Sequence, residues 1–203
     1  MAGYSIVALN DMLGEYGEDK VRLFLSTFSC PLHLDVEIFL RQKAIVFEQQ
    51  GLARTHIVFA SHKKKPVLVG YFALTSKVIV AKKSVFSGSM RKRLSKFAKH
   101  NMDSDSCILP APLIGQLGKN FHGGYNKQIT GTELLALACD TVAEAQLLIG
   151  GSKVVYLECE DKPRLTDFYS RNGFFNFGER PLEESEKTTH SGTYLVQMMK
   201  YLG

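Results

Sequence analysis

The stretch FYSRNGFFNFG, Phe168 to Gly178, places a tyrosine three residues before Asn172-Gly173 and two phenylalanines directly after it. It continues the segment DKPRLTDFYSRN, in which Pro163 suits a first helical turn and Asn-Gly suits a helix end. Tyr169 therefore falls in the last turn of a short helix. Upstream, KVVYLECE is rich in β-branched and aromatic residues and reads as a strand, and downstream GTYLVQMMK reads as a closing strand.

Further upstream, TGTE reads as a capping box, in which a threonine and a glutamate three positions on satisfy each other's backbone donors. It opens a helix whose apolar stripe is Leu135, Ala138, Val142, Ala145 and Ile149, ending at Gly150-Gly151. Before it lie the glycine-rich NFHGGYNK and the strand CILPAPLIGQLG. The second half of the chain thus reads strand, glycine loop, helix, strand, helix, strand. A glycine loop leading into a helix N-terminus offers unpaired N–H groups and the positive end of the helix dipole, which suits a phosphate or pyrophosphate. The candidate cradle is Gly118 to Thr132.

In the first half, residues 5–28 carry Leu9, Met12 and Leu13, then Val21, Leu23, Phe24 and Leu25, with Gly14 and Gly17 between, and predict two short helices. LDVEIFLRQKAIVFEQQG predicts one longer helix ending at Gly51. THIVFAS, a KKKP turn, VLVGYFALT and KVIVAK predict three strands in an antiparallel meander. Residues 83–106 are polar and basic and predict a surface insertion with one short helix from Arg91 to Ala98.

A chain of 203 residues with 45% hydrophobic content can bury a full core and is most simply one domain, 1–203, with 83–106 inserted. No basic segment followed by an apolar block opens the chain, and VLVGYFAL is too short to span a bilayer, so the expectation is a cytoplasmic protein without membrane contact. Cys30, Cys107, Cys139 and Cys159 form no CxxC pair and the six histidines lack ligand spacing, which predicts free thiols and no metal. The net charge of +5 is mild but uneven, with Arg91, Lys92, Arg93, Lys96 and Lys99 close together. Such a cluster fits an acidic partner, and equally a solvated helix face.

This order of parts resembles the GNAT acyl-CoA N-acyltransferase superfamily, whose pyrophosphate loop precedes a long helix, a strand, and a short helix carrying a tyrosine before glycine-phenylalanine. Here that last motif is FYSRNGF. FSCPLHLDVEIFLRQKAIVFEQQGLARTHIVFA with VLVGYFAL is also similar to the entry region of bacterial GNAT toxins, which act on the amino group of aminoacyl-tRNA. The two stretches cover most of residues 28–82 and 107–178. The resemblance implies an α/β (α+β) GNAT fold, a mixed sheet of six to seven strands flanked by helices after a helical N-terminal segment. It also implies acetyl-CoA as acyl donor, a homodimer and, for a toxin, an antitoxin. The loop departs from the family's usual Arg or Gln, two residues, Gly, one residue, Gly or Ala: Gln128 and Gly131 are followed by Glu133, and from Asn126 only Gly131 matches.

Acyl transfer from a thioester needs a neutral amine, a donor to the developing oxyanion and an acid for the departing thiolate. By resemblance, a backbone N–H at Leu117 or Gly118 polarises the thioester carbonyl. Lys119, Asn126, Lys127, Gln128, Ile129, Thr130, Gly131 and Thr132 form the pyrophosphate loop. Tyr169 donates a proton to the coenzyme A sulfur, against the plain alternative that it only packs beside Phe168 and Phe174. Glu158 is the candidate base, sharing a strand face with Glu160, against the alternative of two exposed edge carboxylates. An α-amino group with a pKa of about 7.7 is substantially neutral at pH 7, whereas lysine near 10.4 is neutral about once in several thousand, so an aminoacyl-tRNA acceptor makes a protein base dispensable. Arg91, Lys92, Arg93 and Lys96 would then contact RNA phosphates. Two alternatives stand beside this reading: a GNAT enzyme acting on a protein or small-molecule amine, and a GNAT-shaped interaction module with weakened cofactor binding.

Overall fold

The computed structural model describes residues 3–101, 105–184, 186–188 and 192–203. In chain order its elements are β1 (Tyr4–Ala8), α1 (Leu9–Tyr16), α2 (Glu18–Leu25), α3 (Leu34–Ile38), a π-helical turn (Phe39–Lys43), α4 (Ala44–Gln49), β2 (Arg54–His62) and β3 (Lys65–Lys82). There follow a 3-10 turn (Lys83–Val85), α5 (Gly88–Leu94), β4 (Lys99–Asn101), β5 (Ser106–Lys119), a second 3-10 turn (His122–Lys127) and α6 (Gly131–Ile149). The chain closes with β6 (Val154–Glu160), α7 (Pro163–Arg171), β7 (Phe175–Pro181) and β8 (Tyr194–Tyr201). The strands form one mixed sheet in the order β1-β2-β3-β5-β6-β8-β7, seven strands long, with β4 paired to β5.

The chain divides into two compact units, Met1–Thr75 with Ile114–Ala138, and Ser76–Leu113 with Cys139–Gly203. In the first, β1 and β2 pair antiparallel with Tyr4 opposite Ala60, and β2 and β3 pair with Ile57 opposite Tyr71. The helical segment from α1 to α4 supplies Leu9, Val21, Leu25, Phe28, Phe39 and Leu40 to a core that closes on Ile57 and Tyr71. Tyr71 is fully buried, stacks edge-on against Phe28 at 5.2 Å, and donates its hydroxyl to the Val36 carbonyl at 2.6 Å. Burial of each such large side chain contributes about 1.5–3 kcal/mol.

In the second unit the core runs through Leu109, Ala111, Val154, Tyr156, Phe177 and Met199. Phe86 and Leu94 of the basic segment belong to it, so that segment is anchored by its apolar residues while Arg91, Lys92, Arg93 and Lys96 face out.

Several sequence expectations are corrected. Residues 5–8 form the end of β1 rather than a helix start, because the short run Ser5-Ile6-Val7 pairs with β2. The 34–51 helix contains a π-helical turn at Phe39–Lys43. VLVGYFALT and KVIVAK are one strand of 18 residues, since Thr75-Ser76 lacks the glycine or proline that would turn the chain. The helix of the basic segment spans Gly88–Leu94, not Arg91–Ala98, because the Ser87 hydroxyl caps it by accepting from the Met90 N–H at 3.2 Å. β7 was not foreseen: its register shifts between Asn176 and Gly178, which breaks the alternation that marks a strand. In α6 the stripe holds for Leu135, Ala138 and Val142, whereas Ala145 is exposed and Ile149 is 85% exposed, beside the equally exposed Leu147 and Leu148. No helix among the described residues is long and apolar enough to cross a membrane.

Candidate active-site elements

In the first unit, β5 ends against a close approach of backbones. A Cβ on Gly118 would lie 2.3 Å from Val36 Cγ1, and one on Gly70 would lie 2.8 Å from the Gly118 carbonyl oxygen. Only glycine fits at 118. Leu117 beside it is half-buried.

Asn120, which the sequence reading passed over, fixes where the loop leaves the strand. Its buried side chain donates to the Leu68 carbonyl at 2.9 Å and accepts from the N–H groups of Ser29 and His122, both at 3.1 Å. A buried asparagine carries no sequence signature that separates this role from any other polar residue in a loop.

The loop then turns through Gly123 and Gly124, with φ of 59° and 75°. The Lys119 ammonium donates to the carbonyl oxygens of Asn126 at 2.9 Å and Ile129 at 3.1 Å, and the Tyr4 hydroxyl donates to that of Gln128 at 3.1 Å. Ile129 is buried, Asn126 and Gln128 half-buried, and Lys127 exposed.

The capping box forms between Thr130 and Glu133. The Glu133 carboxylate accepts from the Thr130 hydroxyl at 2.7 Å and its N–H at 2.8 Å, while the Glu133 N–H donates to the Thr130 hydroxyl at 3.1 Å. The Thr130 hydroxyl, then its N–H, holds the Glu133 carboxyl below its ordinary range. Burial, then the hydrogen bond to Glu133, pushes the Tyr4 phenol up. Gly131 and Thr132 stand in the first helical turn, where N–H groups have no intrahelical partner. This N-terminus is the positive end of a 19-residue helix, and Lys127 upstream of it is exposed. Glu133 adds a negative charge in the first turn of the same helix.

In the second unit, Pro163 starts α7 and the chain reverses after Arg171. Gly173 has φ of 85°, which L side chains adopt poorly, and the Phe174 N–H returns to the Tyr169 carbonyl at 3.1 Å. The Tyr169 ring lies between Phe168 and Phe174, at 5.0 and 6.0 Å between centroids, and is half-buried. Its position before Asn-Gly is thus fixed by a helix end that folds Phe174 back beneath it.

The chain resembles solved structures across nearly its whole length. A tyrosine-to-phenylalanine mutant of the toxin AtaT matches with a TM-score of 0.61 at 18% identity, covering 95% of this chain and 88% of that one. AtaT complexed with acetyl-methionyl-tRNA matches with a TM-score of 0.61 at 17% identity, covering 96% and 94%. The AtaT mutant bound to the C-terminus of the antitoxin AtaR and acetyl-CoA matches with a TM-score of 0.56 at 16% identity, covering 98% and 93%. The chain has the GNAT fold. No family model and no curated protein matches the sequence.

Within the GNAT fold the loop before α6 and the tyrosine of α7 stand in the chain order that the sequence predicts. Glu158 is not the exposed edge carboxylate of the plainer expectation. β6 lies between β5 and β8 rather than at an edge, and the Glu158 carboxylate accepts from Arg180 Nε at 2.9 Å and from Gln197 Nε2 at 2.8 Å. Arg180 also grips Glu186, and these two carboxylates, Glu186 first, raise the guanidinium pKa further above its already high ordinary value. Glu160 is buried and pairs with Lys162 at 2.6 Å. Both glutamates are therefore in ion pairs, and neither is an exposed edge carboxylate.

Of the basic residues, Arg91, Lys92, Arg93 and Lys96 are exposed, and the Arg93 guanidinium lies over the Tyr201 ring at 5.0 Å. Three of them sit on or beside one short helix, and Lys96 lies past its end.

Proposed function

We propose that this protein is an acyl-CoA N-acyltransferase that moves an acetyl group from acetyl-CoA to a primary amine by direct attack. The observation that carries the reading is the capped N-terminus of α6 behind a loop whose carbonyls bond to Lys119 and Tyr4, in a GNAT fold. Two AtaT structures support the reading, one bound to the donor acetyl-CoA and one to an acetylated aminoacyl-tRNA, acetyl-methionyl-tRNA.

In this reading the amine nitrogen bonds to the thioester carbonyl carbon, the carbon–sulfur bond breaks, and one proton leaves the amine while one reaches the sulfur. Acetyl-CoA supplies the activated acyl group. Backbone N–H groups at Leu117 and Gly118 stabilise the oxyanion, the loop from Lys119 to Thr132 takes the pyrophosphate, and Tyr169 gives the proton to sulfur. Glu158, already paired with Arg180, serves as base only for an acceptor more basic than an α-amino group. The acceptor proposed is the amino group of an aminoacyl-tRNA in the cytoplasm, with Arg91, Lys92, Arg93 and Lys96 on the RNA phosphates. A homodimer and a neutralising antitoxin belong to this reading, the latter supported by the AtaT complex with AtaR.

One observation favours a second reading: the Glu133 carboxylate at the α6 N-terminus repels the phosphate that the fold is expected to hold there. On that reading the protein is a GNAT-shaped interaction module. Turnover decides between them. Labelled acetyl-CoA should pass its acetyl group to charged tRNA or a simple amine, and Tyr169→Phe should cut turnover while leaving acetyl-CoA binding nearly unchanged. Turnover by Tyr169→Phe equal to wild type rejects the acid role, and no transfer to any acceptor by wild type rejects the enzyme.

A further inference from the structure

Three carbonyls of one loop accept from two side chains, Lys119 at the loop's start and Tyr4 of β1. Asn126 and Ile129 give their oxygens to the Lys119 ammonium, and Gln128 gives its oxygen to the Tyr4 hydroxyl. Hydrogen bonds from an ammonium to neutral carbonyls are short and stronger than neutral pairs. The carbonyls of Asn126, Gln128 and Ile129 are thus tied to the ends of β5 and β1, and the Gln128 N–H donates to the Tyr125 carbonyl at 2.9 Å.

We propose that Lys119 and Tyr4 are the positioning residues of the acetyl-CoA loop, holding the chain from Asn126 to Ile129 in one shape. The inference rests on the acyltransferase reading, and assigns Lys119 a role different from direct contact with phosphate. Lys119 is the last residue of β5 and Tyr4 the first of β1, so the loop is clamped to two strands of one unit. Asn120 pins the entry of the same loop, and the Thr130–Glu133 box pins its exit. Between these pins the chain from 126 to 129 holds its shape through Lys119 and Tyr4.

The test is hydrogen exchange of the ligand-free full-length protein, read by mass spectrometry over residues 120–133, together with acetyl-CoA titration, for wild type, Lys119→Met, Lys119→Arg and Tyr4→Phe. The proposal expects faster exchange confined to the loop in Lys119→Met and Tyr4→Phe, an acetyl-CoA dissociation constant raised about tenfold, and substantial recovery in Lys119→Arg, whose guanidinium can span two carbonyls. Weaker binding with unchanged exchange would make Lys119 a phosphate contact and overturn the proposal, as would unchanged exchange with unchanged binding. If Lys119→Met fails to fold, Tyr4→Phe alone carries the same comparison. Absence of acetyl-CoA binding by wild type would reject the acyltransferase reading, and the exchange result would still accept or reject the clamp.

Discussion

A Cβ placed on Gly118 lies 2.3 Å from Cγ1 of Val36, well inside van der Waals contact. The end of β5 and helix α3 are packed with no room for a methyl group. Gly118→Ala should therefore destabilise the protein by about 1–3 kcal/mol through overpacking. Val36→Ala in the same chain should recover part of that loss, because it removes the clashing atom. Chemical denaturation of the two single variants and the double variant checks this, and strictly additive losses would exclude the clash as the cause.

The Thr130–Glu133 box makes stability depend on pH in a stated direction. Folding lowers the Glu133 carboxyl, chiefly through the Thr130 hydroxyl, so the cap stabilises the fold above the unfolded value and the benefit is lost as pH falls through the folded one. Wild type should melt higher than Glu133→Gln at pH 7, and the difference should close below about pH 4. Melting curves from pH 7 to pH 3 measure it. A gap that persists unchanged at acid pH would show that the charge contributes nothing to the cap.

Arg180 joins Glu158 of β6 to Glu186 beyond β7, with its own side chain 26% exposed and that of Glu158 13% exposed. Removing the guanidinium leaves the half-buried Glu158 with the neutral Gln197 amide against its charge. Arg180→Ala should cost about 1–3 kcal/mol in urea unfolding. Combining it with Glu158→Gln should cost less than the sum, since the second change removes the stranded charge.

All four thiols are free and buried, and burial pushes Cys30, Cys139 and Cys159 up to about 11. At pH 7.5 these three are protonated and shielded. An aromatic disulfide reagent should label the native protein slowly and all four thiols rapidly once the chain is unfolded. Fast labelling of a native thiol would contradict the packing described for that residue.

What the sequence displayed and what it concealed divide along a physical line. Features carried by special backbone residues were legible: Pro163 and Gly173 bracket α7, and Thr130 with Glu133 opens α6. These residues act locally, through a fixed φ or a cap three positions away. Features that depend on which strands become neighbours were not. The Glu158–Arg180 pair exists because β8 lies between β6 and β7, and no spacing of 22 residues announces that order. Lys119 and Tyr4 were equally hidden, because their partners are backbone carbonyls, which every residue has. β1 was lost for a further reason: its few alternating residues run directly into α1, and the helical period of the longer stretch dominates.

The measurement that bears most directly on the account is calorimetric titration of the wild-type protein with acetyl-CoA and with coenzyme A. The account predicts saturable binding at one site per chain with a micromolar dissociation constant, tighter in low salt because the loop meets a diphosphate. Absence of heat and of any thermal stabilisation by saturating ligand would contradict it, since a ligand that binds the folded state must raise its stability.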